Sequence, residues 1–423
     1  MNQGLSGAPL LKRGYPDDFP GYMRTSRLLV VSLALALVAV PGCSKKSAEG
    51  PAKAKVAAAG WKHVEDAPEA FREKAQSFAQ TFEQNIRDGE TPEIRQAFDC
   101  NAIADGVCQG LTVSGSQLAQ FKSGLQKGLQ NGTLQLAKTW MGQEAKFKHL
   151  VIYNGELAAR FRFISEKQGI SITDLVLRTN STGSVGIVNL CNHTIGYDMV
   201  EQSRRTAMPM LAELDKSFIE RLVDRPDVSR DDMKRFSDMS QEANSGRYGE
   251  AIATYRSLGP SLRDSLPATS LYLMALQRSE DNIAYTDALK EAAARFKTAN
   301  FQFMLVDVYA VEKNYDKAAA CIDDFMGTLE KDAALMALKS LLLNAKGDVT
   351  NATTVLTEAL QLEPDCAYVH AKGLDVLLAA KDYKQVHDSM VFLEKTGRYD
   401  FKGHLTGKVW RDFRQSPESA EWR

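Results

Sequence analysis

Two side chains on strand-like segments have the right types for acid–base chemistry. His149 belongs to a period-two run at 145–153, and Asp174 belongs to another at 170–178. Residues two apart on a strand share a face, so the two side chains meet in a pocket only if both strands turn these faces inward. A histidine beside a carboxylate can accept and return a proton. The alternative reading, an edge histidine and a solvated aspartate, stays open.

The short motifs of the large enzyme classes are absent from the sequence. It contains no phosphate-binding glycine loop, no HExxH, no Gly-x-Ser-x-Gly and no paired CxxC. The six histidines are scattered along the chain: His63, His149, His193, His370, His387 and His404. With 52 Lys and Arg against 53 Asp and Glu, the net charge is −1, and no basic field favours nucleic acid. We therefore expect no catalytic residues beyond those two candidates, no cofactor, no metal and no nucleic-acid partner.

The cysteines are too few for a disulfide scaffold, six in the whole chain. Cys100 and Cys108 would lie about 12 Å apart on one helix, beyond disulfide reach. Gly106 is expected to break that helix, which would permit a bond, so both states of this pair stay open. Cys321 and Cys366 are predicted to be small core residues.

The N-terminal region has the pattern of a secretory signal. Residues 28–40 are apolar except for one serine, and Arg24 and Arg27 precede them. A bilayer span takes about 20 apolar residues, so this run is too short for one and suits a signal h-region. Translation from Met23 would give a signal of ordinary length, so the predicted signal region is 1–42.

The signal is followed directly by Val40-Pro41-Gly42-Cys43. This segment resembles the lipobox of bacterial lipoproteins, which implies that Cys43 is lipidated and begins the mature chain. In that family Ser44 implies an outer-membrane destination, facing the periplasm. The alternative is an ordinary signal peptide followed by a chance cysteine. The membrane is thus the first expected partner, bound through lipid at Cys43.

Length and composition indicate a globular protein of two or three domains. The chain is 44% hydrophobic and 25% charged, which is typical of globular proteins. Its length of 423 residues is too great for one ordinary hydrophobic core. The predicted segments are a signal at 1–42, a lipid anchor and flexible tether at 43–66, an α+β domain at 67–203, a helical connector at 204–234, helical repeats at 235–400 and a C-terminal cap at 401–423.

The α+β domain is predicted from helical periodicity followed by strand periodicity. The first helix is expected to be capped by Asp66, with Pro68 in its first turn, and to close at Asp88-Gly89. A second helix is expected from about Glu93 and a third over 116–141. Four strands are expected over the runs 145–153, 157–165, 170–178 and 185–192, separated by turn residues. This order of elements resembles the cone fold of the nuclear transport factor two and ketosteroid isomerase superfamily. The resemblance implies helices packed on a curled antiparallel four-stranded sheet.

The C-terminal half repeats itself every 34 residues. Segments of one form stand at 246–252, 314–318, 348–352 and 382–386, with Ala284 between the first two. With Leu305, Tyr309 and Pro364 in the expected places, this half resembles the tetratricopeptide repeat, and four to five repeats are counted. The resemblance implies an all-α superhelix with a concave groove.

The resemblance also implies which residues face the groove. They come from the first helix of each repeat: Asn300, Phe303, Asp307, Leu341, Asn344, Tyr368 and Asp375. The expected function is a protein–protein interaction or assembly module that holds an envelope protein or peptide there. One alternative is that the groove packs on the protein's own elements. Another is a small-molecule-binding or isomerase-like pocket in the α+β domain.

Overall fold

The structure is a computed structural model. It describes residues 60–111, 115–141, 143–165, 169–206, 229–397 and 399–422. The predicted signal region, Cys43, most of the tether and residues 207–228 of the connector lie outside the described residues.

The first described residues already pack on the sheet. The backbone N–H of Trp61 donates to the carbonyl of Gly155 at 3.1 Å, and the Trp61 ring lies 6.0 Å from that of Phe71. A short 3₁₀ helix follows at Val64–Asp66. Residues 60–66, which the sequence analysis assigned to the tether, are therefore structured.

Among the described residues, four α-helices precede the sheet: α1 Glu69–Asp88, α2 Thr91–Gln96, α3 Cys100–Cys108 and α4 Gly115–Trp140. α4 confirms the predicted third helix and α1 ends at the predicted Asp88, but the predicted Asp66 cap is wrong, because Asp66 ends the 3₁₀ helix and Pro68 is the N-cap of α1. α3 was not predicted, because Gly106 was expected to break it. Asp99 caps α3 by accepting from two backbone N–H groups. A Cβ at Gly106 would lie 3.5 Å from the Val200 side chain, so this glycine permits close packing within an unbroken helix.

The sheet is antiparallel with strands in chain order: β1 Glu144–Tyr153, β2 Glu156–Ser165, β3 Gly169–Thr179, β4 Val185–Asn192 and β5 Tyr197–Asp198. The four predicted strands are confirmed. The predicted count of four is wrong, because the chain turns back after β4 and pairs two further residues with it. A strand that short carries no period-two pattern that a sequence could reveal.

One face of the sheet packs on α1–α4 through aromatic rings. Trp140 of α4 stacks on Phe163 of β2 at 4.8 Å, and Phe82 of α1 meets Phe161 edge-on at 5.8 Å. Edge-on and offset-stacked geometries suit the ring quadrupoles. Because side chains alternate along each strand, the residues between these aromatics point to the opposite face, here called the far face.

The rest of the described chain is almost entirely helical. Its helices are α5 Met199–Thr206, α6 Arg230–Asn244, α7 Tyr248–Ser257, α8 Pro260–Arg263, α9 Leu266–Arg278, α10 Asn282–Phe296, α11 Ala299–Val311, α12 Tyr315–Thr328, α13 Ala333–Lys346, α14 Val349–Leu362, α15 Ala367–Ala380, α16 Tyr383–Lys395 and α17 Arg411–Gln415, with a 3₁₀ helix at Pro417–Trp422. Within the described ranges, no helix combines the length and apolarity that a membrane crossing requires.

The polar residues of the 34-residue pattern are helix N-caps. Asp281, Asn314, Asp348 and Asp382, spaced 33 or 34 apart, cap α10, α12, α14 and α16. In each case the side-chain oxygen accepts from the backbone N–H three residues on. A short polar side chain at this position satisfies an otherwise unpaired N–H of the first turn, which explains why Asp or Asn recurs there.

The described residues divide into two compact units, 60–301 and 302–422. In the first, buried apolar residues of α6, α7 and α9 join the same core cluster as the sheet and α1–α4. The first compact unit therefore contains α6, α7 and α9 as well as the sheet and α1–α4. α11 contributes its first three residues to the first unit and the remainder to the second.

The last described segment, 399–422, contains four buried aromatic residues. Phe401, Trp410, Phe413 and Trp422 are each at most 5% exposed. The Glu394 carboxylate of α16 accepts from the Trp422 indole N–H at 3.0 Å and from the Phe401 backbone N–H at 3.1 Å. This single carboxylate therefore fastens two points of the terminal segment to α16.

Candidate functional site

A row of polar residues crosses the far face of the sheet, one from each strand. Cross-strand pairing places His149 opposite Arg160, Arg160 opposite Asp174, Asp174 opposite Cys191, and Cys191 opposite Asp198. Directly opposite residues on antiparallel strands have Cβ atoms about 5 Å apart. We call these five residues the polar row. It brings Asp174 together with groups that the sequence analysis did not single out.

Asp174 is the centre of the polar row and is 1% exposed. Arg160 donates from Nε to Oδ1 at 2.8 Å and from Nη2 to Oδ2 at 2.9 Å, and His193 Nε2 lies 2.7 Å from Oδ2. Burial raises the pKa of Asp174, but the hydrogen bonds from Arg160 and His193 outweigh burial and hold that pKa below 3.8. The carboxylate is ionised at neutral pH and serves as counter-charge to a nearly buried guanidinium.

A second set of hydrogen bonds lies at the β5 end of the row. The Tyr153 hydroxyl donates to Asp198 Oδ2 at 3.0 Å, and Asn189 Nδ2 donates to the same oxygen at 2.9 Å. The Tyr153 ring meets His193 edge-on at 6.1 Å. Burial raises the pKa of Tyr153 and raises that of Cys191 to about 12. Both groups therefore keep their protons at neutral pH.

His149, the other predicted acid–base candidate, stands at the opposite end of the row. It is exposed on β1, and β2 separates it from Asp174. The structure thus pairs Asp174 with His193 and not with His149. The sequence did contain the information for the pairing of β1 with β2, since counting outward from the Asn154-Gly155 turn places His149 opposite Arg160.

The chemistry of the polar row is that of a structural ion pair. Both oxygens of Asp174 are bonded, and its pKa is lowered, whereas a general base works best with a pKa near the operating pH. The geometry therefore provides a fixed charge and an oriented imidazole. It does not provide an available proton acceptor at Asp174.

Neither a metal centre nor a reactive thiol emerges from the described ranges. No group of three or more His, Cys, Asp or Glu residues in them could hold a metal. The five described cysteines are free: Cys100, Cys108, Cys191, Cys321 and Cys366. No disulfide therefore joins Cys100 to Cys108, and burial raises the pKa of Cys108 and of Cys321 to about 11. Thiols of this kind are inert nucleophiles at neutral pH.

Two of the predicted groove residues pack against the protein itself. Phe303 of α11 is 6% exposed, and its ring lies 4.4 Å from that of Phe325 in α12, so it belongs to the interface between those helices. Asn300 lies beside the turn between β4 and β5, where a Cβ at Gly196 would collide with its side chain. For Asn300 and Phe303, the structure agrees with the alternative that groove positions pack on the protein's own elements.

The other predicted groove residues are each partly exposed. They are Asp307 of α11, Leu341 and Asn344 of α13, and Tyr368 and Asp375 of α15, all of intermediate exposure. On α15, Tyr368 and Asp375 lie seven residues apart and therefore on one side of the helix. Asp307, Leu341 and Asp375 are separated by 34 residues each. We call the partly exposed side of α11, α13 and α15 that carries these five residues the inner face.

The two aspartates of the inner face are electrostatically unusual. Burial raises the pKa of Asp307 to about 7 and that of Asp375 to about 6, with Lys372 partly opposing the shift at Asp375. Neither carboxylate has a hydrogen bond or an ion pair within 4 Å from any residue that the structure describes. Carboxylates held without a close counter-charge are a common feature of binding sites.

Comparisons with known proteins do not assign the chain to a family. No protein-family model matches it, and neither a curated protein nor a solved structure matches it significantly. The functional argument therefore depends on the geometry of the polar row and of the inner face.

Proposed function

We propose that this protein is a lipid-anchored cell-envelope protein that binds a protein or peptide partner on the inner face. In this proposal α6–α16 are tetratricopeptide-like repeats stacked as a superhelix, and the inner face is its concave side. Residues 67–203 form a cone-like α+β domain. Cys43 carries the lipid and holds the protein at the outer membrane, facing the periplasm.

The observation that carries the proposal is the repetition of one partly exposed position on successive helices. Asp307, Leu341 and Asp375 stand at equivalent places on α11, α13 and α15, and each keeps intermediate exposure. On α15, the neighbouring Leu374, Val376 and Leu377 are at most 1% exposed. A helix face that stays accessible while its flanks are buried is where an elongated partner can lie.

The physics of stacked repeats supports the same reading. A single helix pair cannot bury its own apolar face, so neighbouring pairs must stack, and the stack presents an extended surface. α13 packs on α12, α14 and α15, as stacking requires. The buried aromatic residues after α16 close the last pair, which is the role of a terminal cap.

The rival function is a small-molecule or proton-transfer pocket in the α+β domain. The geometry of the polar row argues against this alternative, because Asp174 already forms an ion pair with Arg160 and a hydrogen bond with His193. Removing Asp174 would then change stability more than any chemistry. We therefore assign the polar row a structural role and place function on the inner face.

Site-specific photocrosslinking in cells tests the proposal. A benzoyl-phenylalanine at Asn344 on the inner face should crosslink a discrete partner upon irradiation. The same probe at Leu362, which is 47% exposed on α14, is the matched control and should not. Equal crosslinking from both positions, or none from Asn344, would contradict the proposed function.

A further inference from the structure

β1 forms one edge of the sheet, and this edge is accessible. Among the described strands β1 pairs only with β2, and each of its residues is at least partly exposed, whereas the eight central residues of β2 are buried. Ala145, Phe147, Leu150 and Ile152 all pack on the core cluster, so they share one face of the sheet on either side of the β-bulge that follows Phe147. Strand residues that share a face also direct their backbone groups to the same edge.

Glu83 of α1 bonds one of these backbone groups. Its Oε2 accepts from the Phe147 backbone N–H at 2.8 Å, and its Oε1 accepts from Arg87 Nη2 at 2.6 Å. The Phe147 N–H therefore points away from β2, and so do the N–H groups of the other three residues on that face. Within the described ranges, those three N–H groups donate to no other residue.

An open strand edge is a template for a second strand, and the same edge on another copy of the chain is complementary to it. In an antiparallel pair related by a two-fold axis, the register that sets Phe147 opposite Leu150 also sets Ala145 opposite Ile152. Each outward-facing residue then meets an outward-facing residue, because the bulge lies between the two pairs and is present in both strands. Residues of such a pair donate to and accept from each other, so this register requires the Phe147 N–H that Glu83 occupies.

We propose that Glu83 is a guard residue that prevents β1 from pairing with β1 of a second copy of this chain. To associate, each copy exchanges a charge-assisted hydrogen bond for a neutral one, which is weaker. Each copy also leaves a carboxylate that is only 15% exposed without its backbone donor. The bulge and Lys148, which would lie beside the two-fold axis and close to the same lysine of the other copy, act in the same direction.

Sedimentation equilibrium of the full chain in density-matched detergent tests the proposal. Glu83→Ala should associate at concentrations about 100-fold lower than the wild type, because a charged hydrogen bond is worth about tenfold in affinity and a dimer gives up two of them. Glu83→Gln, whose amide oxygen still accepts from the Phe147 N–H, should stay close to the wild type. Glu73→Ala, a change at an exposed glutamate of α1, is the matched control and should leave association unchanged.

A second change shows whether the association uses the edge of β1. Ala145→Pro removes an outward-facing N–H and no hydrogen bond to β2, which is the placement that edge strands tolerate. Added to Glu83→Ala, it should abolish the gain in association. As the concentration of Glu83→Ala rises, the amides of Leu150 and Ile152 should exchange hydrogen more slowly, whereas those of the wild type should not.

The proposal is overturned if Glu83→Ala associates no more strongly than Glu73→Ala, if Glu83→Gln associates as strongly as Glu83→Ala, or if Ala145→Pro leaves the association of Glu83→Ala unchanged. Circular dichroism of each variant confirms that the fold is retained. If Glu83→Ala does not fold, Glu83→Met, which keeps the side-chain volume and accepts no hydrogen bond from the Phe147 N–H, takes its place. None of these outcomes depends on the inner face, so the proposed function is tested separately.

Discussion

Replacing Asp307 with asparagine should stabilise the protein at alkaline pH and leave it almost unchanged in acid. The pKa of Asp307 is raised from 3.8 to about 7 because the carboxylate is largely, though not fully, buried and no described residue places a counter-charge close to it. A raised pKa means that the unfolded chain releases this proton before the folded protein does. The wild type therefore loses stability as the pH rises from about 4 to about 7, and asparagine, which cannot ionise, does not.

The size of the effect follows from the shift. Each pKa unit corresponds to about 1.4 kcal/mol of free energy. A shift of about three units therefore limits the stabilisation of Asp307→Asn over the wild type to about 4 kcal/mol at pH 8. At pH 4 the same reasoning predicts that the free energies of unfolding of the wild type and Asp307→Asn differ by less than about 1 kcal/mol. Asp375, with a pKa of about 6, should show the same sign with a smaller amplitude.

Urea unfolding followed by the helical circular dichroism signal, at several pH values from 4 to 8, measures this difference. Asp287→Asn, a change at an exposed aspartate of α10, is the matched control and should show no such trend. If Asp307→Asn shifts the unfolding free energy equally at pH 4 and pH 8, or destabilises the protein at pH 8, the account of a buried, uncompensated carboxylate is wrong.

Three other changes test separate parts of the structure. Asp174→Asn should cost about 3–5 kcal/mol in urea unfolding at pH 7, since it removes the carboxylate that pairs with buried Arg160. Because the pKa of Asp174 is lowered, this loss should shrink as the pH falls below about 4, and a pH-independent loss would contradict it. Glu394→Ala should lower the free energy of unfolding by about 1.5–3 kcal/mol and shift the fluorescence emission of Trp422 to the red. Unchanged emission would argue against the hydrogen bond between Glu394 and Trp422. Cys43→Ala should release the protein from the membrane fraction, whereas unchanged association would remove the anchor from the proposal.

The strands were predictable because their signals are local. Alternating side chains and turn residues such as Asn154-Gly155 place β1 and β2 to within one residue of their observed ends. The pairing of His149 with Arg160 follows from this hairpin by counting, and that of Arg160 with Asp174 follows from the next hairpin, between β2 and β3. His193 was beyond this reasoning, because it follows β4 in a turn where strand parity no longer says which way a side chain points.

The helices show a different limit of sequence reasoning. The 34-residue period correctly marks where helices begin, because the N-cap residues Asn314 and Asp348 are chemically distinctive. It does not say which positions on a helix stay accessible. Phe303 and Asp307 were assigned to the same face, yet Phe303 packs on α12, and only Asp307 remains partly exposed. That difference depends on tertiary packing, which periodicity does not encode.

Affinity capture from detergent-solubilised envelopes tests the central claim, that the inner face binds a partner, most directly. Wild type, the double charge reversal Asp307→Lys with Asp375→Lys, the control Asp287→Lys and Asp174→Asn are compared by quantitative mass spectrometry. The partner crosslinked from Asn344 should be recovered with wild type, with Asp287→Lys and with folded Asp174→Asn, and should be lost with the double reversal. Recovery of that partner by all four proteins would contradict the claim.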